Sequence, residues 1–391
     1  MPAILIKHLT ALALFSAPAL AQTLTVSLRA VAQLPSSTTD QAGAPFTITG
    51  LSGLTRRTGD EYLAVMDNSN KIVRLGITVN ADGSIAAVTV LGGLSLAHTR
   101  DFEGIALADS AATSVLLAEE GTPAIHEYSL VDGAFIRTFT PPAIFATRRD
   151  NFGFESLTRH ALTGRVLTAN EEALIPDGSV SSTSSGTTVR LLRLAGPNLT
   201  AESQTALVTQ PLHGSVITGA RSGLCDLVWL PSGRVLGLER SFAFNLSGLF
   251  QTRIYELDWS GASDVSALSG LNNQSFTAVT KRLLYQGNLN NLEGLCLGPR
   301  LAGGDFSLLG IVDDGDPVST SALAAFVLSG GPGTIACPAD VNDDSLLSVQ
   351  DLFDFLAAFF ANDSAADVNG SDTITVQDLF DFLSIYFVGC Q

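Results

Sequence analysis

The chain has 391 residues, 38 acidic against 21 basic side chains, a formal net charge of −17, 46% hydrophobic residues and only 15% charged ones. That balance is too apolar for a disordered chain and too weakly charged for a coiled coil, and its acidity excludes the basic footprint of a nucleic-acid binder. The charge is uneven: residues 337–391 hold ten Asp and no Lys, Arg or Glu, which leaves −8 for residues 22–336 once the single positive charge of Lys7 is set aside.

Residues 1–21 read as a secretory signal. Lys7 supplies the basic start, Leu9 to Leu20 a short apolar run, and Ala19-Leu20-Ala21 a small-x-small cleavage site. The run is too short to span a bilayer, and no later stretch of 18 apolar residues follows it. The expected product is therefore secreted, periplasmic or on the cell surface, cut after Ala21, with no transmembrane segment. Four Cys in an exported chain suggest disulfides. Cys337 and Cys390 bracket the acidic tail and are paired on that ground; Cys225 and Cys296 are either bonded to each other or buried thiols.

Residues 45–330 alternate short apolar runs with Gly, Asn, Asp and Ser, which reads as all-β. Four short motifs set an acid in a hydrophobic turn: Phe102-Glu103-Gly104-Ile105, Phe154-Glu155-Ser156-Leu157, Cys225-Asp226-Leu227-Val228 and Leu292-Glu293-Gly294-Leu295. Leu51-Ser52-Gly53-Leu54 is a fifth copy with Ser in place of the acid. Each precedes an apolar strand that ends in an acid, at Asp67, Glu119, Glu171, Glu239 and Asp313. The units recur at 51, 52, 71 and 67 residues. Repeated hairpins with acids at matching ends mark a β-propeller, and the longer intervals leave room for a further blade, so six or seven blades are expected.

Equivalent strand ends of a propeller converge on its central channel, where a ring of acids predicts a cation or a basic partner. Glu103, Glu155, Asp226 and Glu293 are the first candidates for that ring; Asp67, Glu119, Glu171, Glu239 and Asp313 are the second tier. Arg100, Arg149, Arg190, Arg240 and Lys281 can balance the charge, with Arg240 and Lys281 assigned to an anionic substrate. There is no Gly-x-Ser-x-Gly elbow, no close His pair, no Cys-x5-Arg loop and no P-loop around Lys281. The remaining chemistry is calcium held by carboxylates, polarising a phosphoryl oxygen and activating water. The structural alternative is that these acids cap blade turns by accepting backbone N–H groups.

The ordered set of motifs resembles the family called "esterase-like activity of phytase". It runs through Leu51-Ser52-Gly53-Leu54, Asp101 to Ile105, Ala118 to Gly121, Asn151 to Leu157 and Asn170 to Leu174. It continues with Gly223 to Leu227, Leu238-Glu239-Arg240, Arg253-Ile254-Tyr255, Lys281, Asn291 to Leu295 and Val312 to Asp314. The resemblance implies a secreted propeller over 22–330 with phytase-like or esterase-like phosphoester hydrolysis.

A linker at 331–336 leads to an acidic tail, 337–391, that is a tandem repeat. Asp340–Leu356 and Asp367–Leu383 are offset by 27 residues, and Val349–Leu356 is identical to Val376–Leu383. Each copy puts oxygen donors at calcium-loop spacing: Asp340, Asn342, Asp344, Ser348 and Asp351 in the first, Asp367, Asn369, Ser371, Thr375 and Asp378 in the second, with the carbonyls of Leu346 and Thr373 between. Each loop then enters an amphipathic helix. The tail resembles the dockerin family in its variant with a Gly-Cys ending. That resemblance implies calcium binding and docking to a cohesin-like or cell-surface partner through Val349-Gln350 and Val376-Gln377 and the helices that follow. The whole chain is thus expected to be a calcium-dependent phosphoester hydrolase tethered by its tail; the alternative is a non-catalytic propeller that binds a ligand or protein.

Overall fold

A computed structural model describes residues 23–330 apart from 110, 162, 302–303 and 316–318, and, of the C-terminal segment, residues 339, 341, 347, 349–363, 366–368 and 373–388. The expected signal (1–21), the expected linker (331–336), Cys337, Cys390 and the loop positions 340, 342, 344, 346, 348, 369 and 371 lie outside the described residues. Cys225 and Cys296 are separate buried thiols.

Strand β1 (Thr25–Gln33) and a small hairpin of β2 (Ser37–Thr39) and β3 (Pro45–Thr47) precede the first sheet. Blade 1 is β4–β7 (Leu51–Thr58, Glu61–Met66, Ser69–Val79, Ile85–Arg100). Blade 2 is β8–β11 (Phe102–Leu107, Ser114–Glu119, Ala124–Ser129, Phe135–Phe139). Blade 3 is β12–β15 (Phe154–Arg159, Val166–Asn170, Thr188–Ala195, Thr200–Val208). Blade 4 is β16–β19 (Arg221–Trp229, Val235–Phe242, Phe250–Asp258, Thr280–Gly287). Blade 5 has β20–β22 (Leu292–Arg300, Phe306–Val312, Ala322–Ser329) and takes β1 as its outermost strand, which pairs antiparallel with β22. Closing the ring with a strand from the far end of the domain ties its two ends together and leaves no open blade edge at the join.

The propeller therefore has five blades, not six or seven. Its innermost strands pack in a closed circuit, each touching the next. Five hydrophobic clusters fill the five interfaces between blades; Leu63 and Val65 of blade 1 meet Phe102 and Leu117 of blade 2, and Leu236 and Leu238 of blade 4 meet Leu308 and Phe326 of blade 5. Because each blade is covered on both faces, β9, β13 and β21 are buried at every position, which explains their continuous apolar runs.

The residues that suggested extra blades do something else. Between β18 and β19 a long loop crosses back to blade 3: Val265 N–H donates to the Gln204 carbonyl, and Val265 and Leu271 pack on Ala206. Fully buried Arg190 locks this loop, donating to both Asp177 carboxylate oxygens at 2.7 and 2.8 Å and to the carbonyls of Val265 and Leu268.

The tail forms α1 (Val349–Ala361) and α2 (Val376–Val388), the helices anticipated after each loop. Phe355 and Phe382, equivalent in the repeat, stack at 4.1 Å between ring centroids in a small core of their own. At the start of α2, Thr375 N–H and hydroxyl donate to Asp378 Oδ2 at 2.8 and 3.2 Å, which closes a helix cap. No helix among the described residues is long and apolar enough to cross a membrane.

Candidate active site

Each inner strand carries a β-bulge at the same level. The register slips at Ser52 in β4, Glu103–Gly104 in β8, Glu155 in β12, Cys225 in β16 and Glu293 in β20. A bulged residue has no partner across the ladder and is turned out of the pleat, here toward the channel. Two residues before each bulge, the backbone meets the end of the second strand. Asp67 N–H donates to Gly50 O, Glu120 to Asp101, Glu171 to Gly153 and Asp313 to Asn291, while Arg240 lies opposite Gly223. The site is therefore two stacked rings: Ser52, Glu103, Glu155, Cys225 and Glu293 below, and Asp67, Glu120, Glu171, Arg240 and Asp313 above.

Asp67, Glu103, Glu155, Glu293 and Asp313 of these rings line a cavity of about 490 Å³. One oxygen each from Asp67, Asp101 and Glu103 lies within 4.8 Å of the others, and so does one each from Glu120, Glu155 and Glu171. Arg240, 1% exposed, spans the cluster: it donates to Glu171 Oε1 at 2.6 Å, to Asn291 Oδ1 at 2.7 Å and to Glu293. Arg221 lines the wall beside it, 3.8 Å from Glu171. Gly50, at φ +60°, sits where a Cβ would stand 1.8 Å from Asp67 Oδ1, so glycine there lets the carboxylate approach the chain.

A family model described as "Phytase-like: Esterase-like activity of phytase" matches residues 47–316, the span that builds these rings. The chain belongs to this family. The match ends before the tail. No curated protein matches. Among solved structures, the hydrazine synthase of Kuenenia stuttgartiensis is 8% identical, covering 68% of this chain and 78% of its own, with a TM-score of 0.36. Glutaminyl cyclase of Myxococcus xanthus is 10% identical, covering 78% and 97%, with a TM-score of 0.35. At such values the architecture rests on the sheets themselves.

In this member of the family the residues expected at the channel divide. Glu103, Glu155 and Glu293 of the first group, and Asp67, Glu171 and Asp313 of the second, face the cavity or complete its triads. Asp226 does not. The bulge falls one residue earlier, so Cys225 takes the ring position. The Asp226 carboxylate accepts N–H groups from Leu227 at 2.8 Å and Leu295 at 2.7 Å, and one from Leu157, stitching three inner strands together. Glu119 and Glu239 face away from the channel as well. Glu119 accepts from Arg100 at 2.9 Å and His126 at 2.7 Å; Glu239 accepts from Lys281 and from Gln210 N–H at 2.9 Å. Their neighbours Glu120 and Arg240 point inward instead, because successive strand residues face opposite sides. Lys281 rests on the Tyr255 ring, 4.6 Å from its centroid, away from the cavity. Arg149 is held by the carbonyls of Ala173 and Gly178. Sequence reasoning missed Glu120, Asp101 and Arg221; the acid pair Glu119-Glu120 carried a signal that the alternation alone could not resolve.

Burial, then crowding, raises several of these carboxyls. Burial, then the charge of Asp313, pushes Asp67 up to about 6. Burial and Glu171 push Glu120 up to about 7. Burial does the same to Glu293, to about 7, despite the opposing pull of Arg240. Glu103 is driven upward by burial and then by Glu293, and Glu155 by burial and then by Glu103. Burial also holds the Cys225 thiol far from its thiolate.

These carboxylate clusters can bind metal. Asp101 Oδ1, Glu171 Oε2 and Asp313 Oδ1 are buried without a hydrogen-bond donor, as oxygens facing a cation would be. The donors are all oxygens, the set that suits a hard cation and not zinc.

Proposed function

We propose that the central cavity is a calcium-dependent phosphoester hydrolase site of the phytase-like or esterase-like kind. The observation that carries this reading is the pair of carboxylate triads bordering one cavity, with Arg221 on its wall and Arg240 tied to Glu171 beside it. Asp67, Asp101 and Glu103 would hold one cation, and Glu120, Glu155 and Glu171 another. Bound calcium would neutralise charge on the phosphoryl oxygens and lower the pKa of water. Arg221, half-buried and with only a long contact to Glu171, would grip the substrate anion. Arg240 is spent on Glu171, Glu293 and Asn291, so it positions carboxylates and leaves the substrate to Arg221. Glu293, near neutrality and outside both triads, would take the proton of the attacking water as the P–O bond breaks and return it to the leaving alcohol.

The test is turnover of a generic phosphomonoester and of phytate in calcium and in EDTA, with the Glu155→Gln/Glu293→Gln double variant. Calcium-dependent turnover lost in the folded variant supports the site. Absence of turnover of both substrates in calcium removes the hydrolase and leaves a ligand-binding propeller.

For the tail we propose a dockerin-like calcium module that tethers the exported propeller to a cohesin-like or cell-surface partner. The duplicated loop spacing, the two matching helices and the equivalent Phe355 and Phe382 pair support it. Against calcium at the last loop position, Asp378 already caps its own helix. Calcium titration of the full chain and of a chain ending at residue 330, followed by helicity, tests the module; identical titrations reject it.

A further inference from the structure

The inner strands also form a second cavity, of about 300 Å³, at the opposite mouth of the channel. The two mouths are partitioned at the level of Asp226, whose carboxylate binds the backbone of Leu157, Leu227 and Leu295. The floor of this cup is apolar. Leu54, Ile105, Leu157 and Leu295 come from four different blades and line it.

The rim has a different chemistry. Arg56 lies in the last, turnward stretch of β4, Arg159 ends β12 and Trp229 ends β16, and all three border the cup. Arg56 donates Nε to the Gly59 carbonyl at 2.9 Å. Trp229 Nε1 donates to Gly233 O at 3.1 Å. Neighbouring Arg57 is neutralised by Glu61 at 3.1 Å. Arg159 is half-buried, and its guanidinium has no hydrogen bond or ion pair among the described residues. The nearest opposing charge is Asp109, which also takes the Thr113 hydroxyl at 3.3 Å.

A guanidinium half out of water above a leucine floor, with no protein acceptor and its N–H groups still open to solvent, is partly desolvated and free to take a ligand. An anion on Arg159 offsets that desolvation. A small inorganic anion gains nothing from the floor. Asp109 at the rim opposes a dianion such as a phosphate. A planar carboxylate fits the guanidinium fork, and the cup is at the small end of ligand pockets.

We propose that this cup binds a small monocarboxylate with an apolar body, its carboxylate on Arg159 and Arg56 and its hydrocarbon against the leucine floor and the Trp229 ring. The site is separate from the carboxylate cavity and does not depend on hydrolysis there.

The chain carries two Trp, at 229 and 259, so the cup has its own reporter. Octanoate titrated into the full chain should give a saturable change in fluorescence and a matching calorimetric isotherm, with acetate and inorganic phosphate giving neither. Trp229→Phe should abolish the fluorescence change while calorimetry still records binding. Arg159→Gln should weaken octanoate at least tenfold, Arg159→Lys less, and Glu155→Gln not at all. Arg56→Gln gives a second reading if Arg159→Gln does not fold. The proposal is overturned by no saturable octanoate isotherm, by equal binding of acetate or phosphate, or by unchanged affinity in the folded arginine variants.

Discussion

Raising the pH in the absence of calcium should destabilise the propeller, and Glu120 sets the scale. Its carboxyl is raised from 4.5 to about 7, chiefly by burial. A proton held more tightly in the folded chain than in the unfolded one favours folding in full below about pH 4.5. That contribution is lost as the pH climbs to about 7. The loss corresponds to about 3 kcal/mol. Glu293 acts in the same direction over the same window and Asp67 over a lower one, from 3.8 to about 6, but the carboxyls share one field and ionise in succession, so their losses do not add in full. His160 and His213, lowered mainly by burial, act oppositely and add stability as the pH rises through 6.5. Comparison with Glu120→Gln cancels the histidines. The assay is thermal unfolding in EDTA at pH 5 and pH 8. Wild type should lose about 2.5 kcal/mol more than the variant over that interval, or roughly 5 °C at about 2 °C per kcal/mol for a domain this size. Calcium should restore the wild type at pH 8. Equal pH slopes in the two proteins would refute the assignment of Glu120 to a crowded carboxylate ring.

Other outcomes separate the roles of neighbouring residues. Arg221→Ala should raise KM for a phosphomonoester by about tenfold or more, the worth of a charge-assisted hydrogen bond, with kcat less affected. Lys281→Ala should leave calcium-dependent turnover unchanged while lowering Tm, because buried Glu239 then loses its counter-charge. Asp226→Ala should cost about 3 kcal/mol or more in urea unfolding, since buried backbone N–H groups lose their acceptor, with calcium affinity intact in the folded fraction. Gly104→Ala places a Cβ 2.6 Å from Leu157 N and should destabilise by about 1–3 kcal/mol in the same assay by forcing blades 2 and 3 apart.

Much of this protein was legible in its sequence. Hairpin repetition gave a propeller, because period-2 runs between turn residues have few other ways to be buried. Glu103, Glu155 and Glu293 stood out because each lies in a repeated hydrophobic turn, and all three line the cavity. The duplicated tail announced its two helices for the same reason. What the sequence could not decide was anything that depends on one residue of register or on the use of an insertion. A single bulge exchanged Asp226 for Cys225, and a single alternation exchanged Glu119 and Glu239 for Glu120 and Arg240, because adjacent strand residues face opposite sides. Five blades, not six or seven, followed from two long-range facts: β1 completes blade 5, and the loop after β18 is spent covering blade 3. The −8 of residues 22–336 is likewise a sequence fact, but the gathering of its acids around one cavity exists only because ring closure brings the strand ends together.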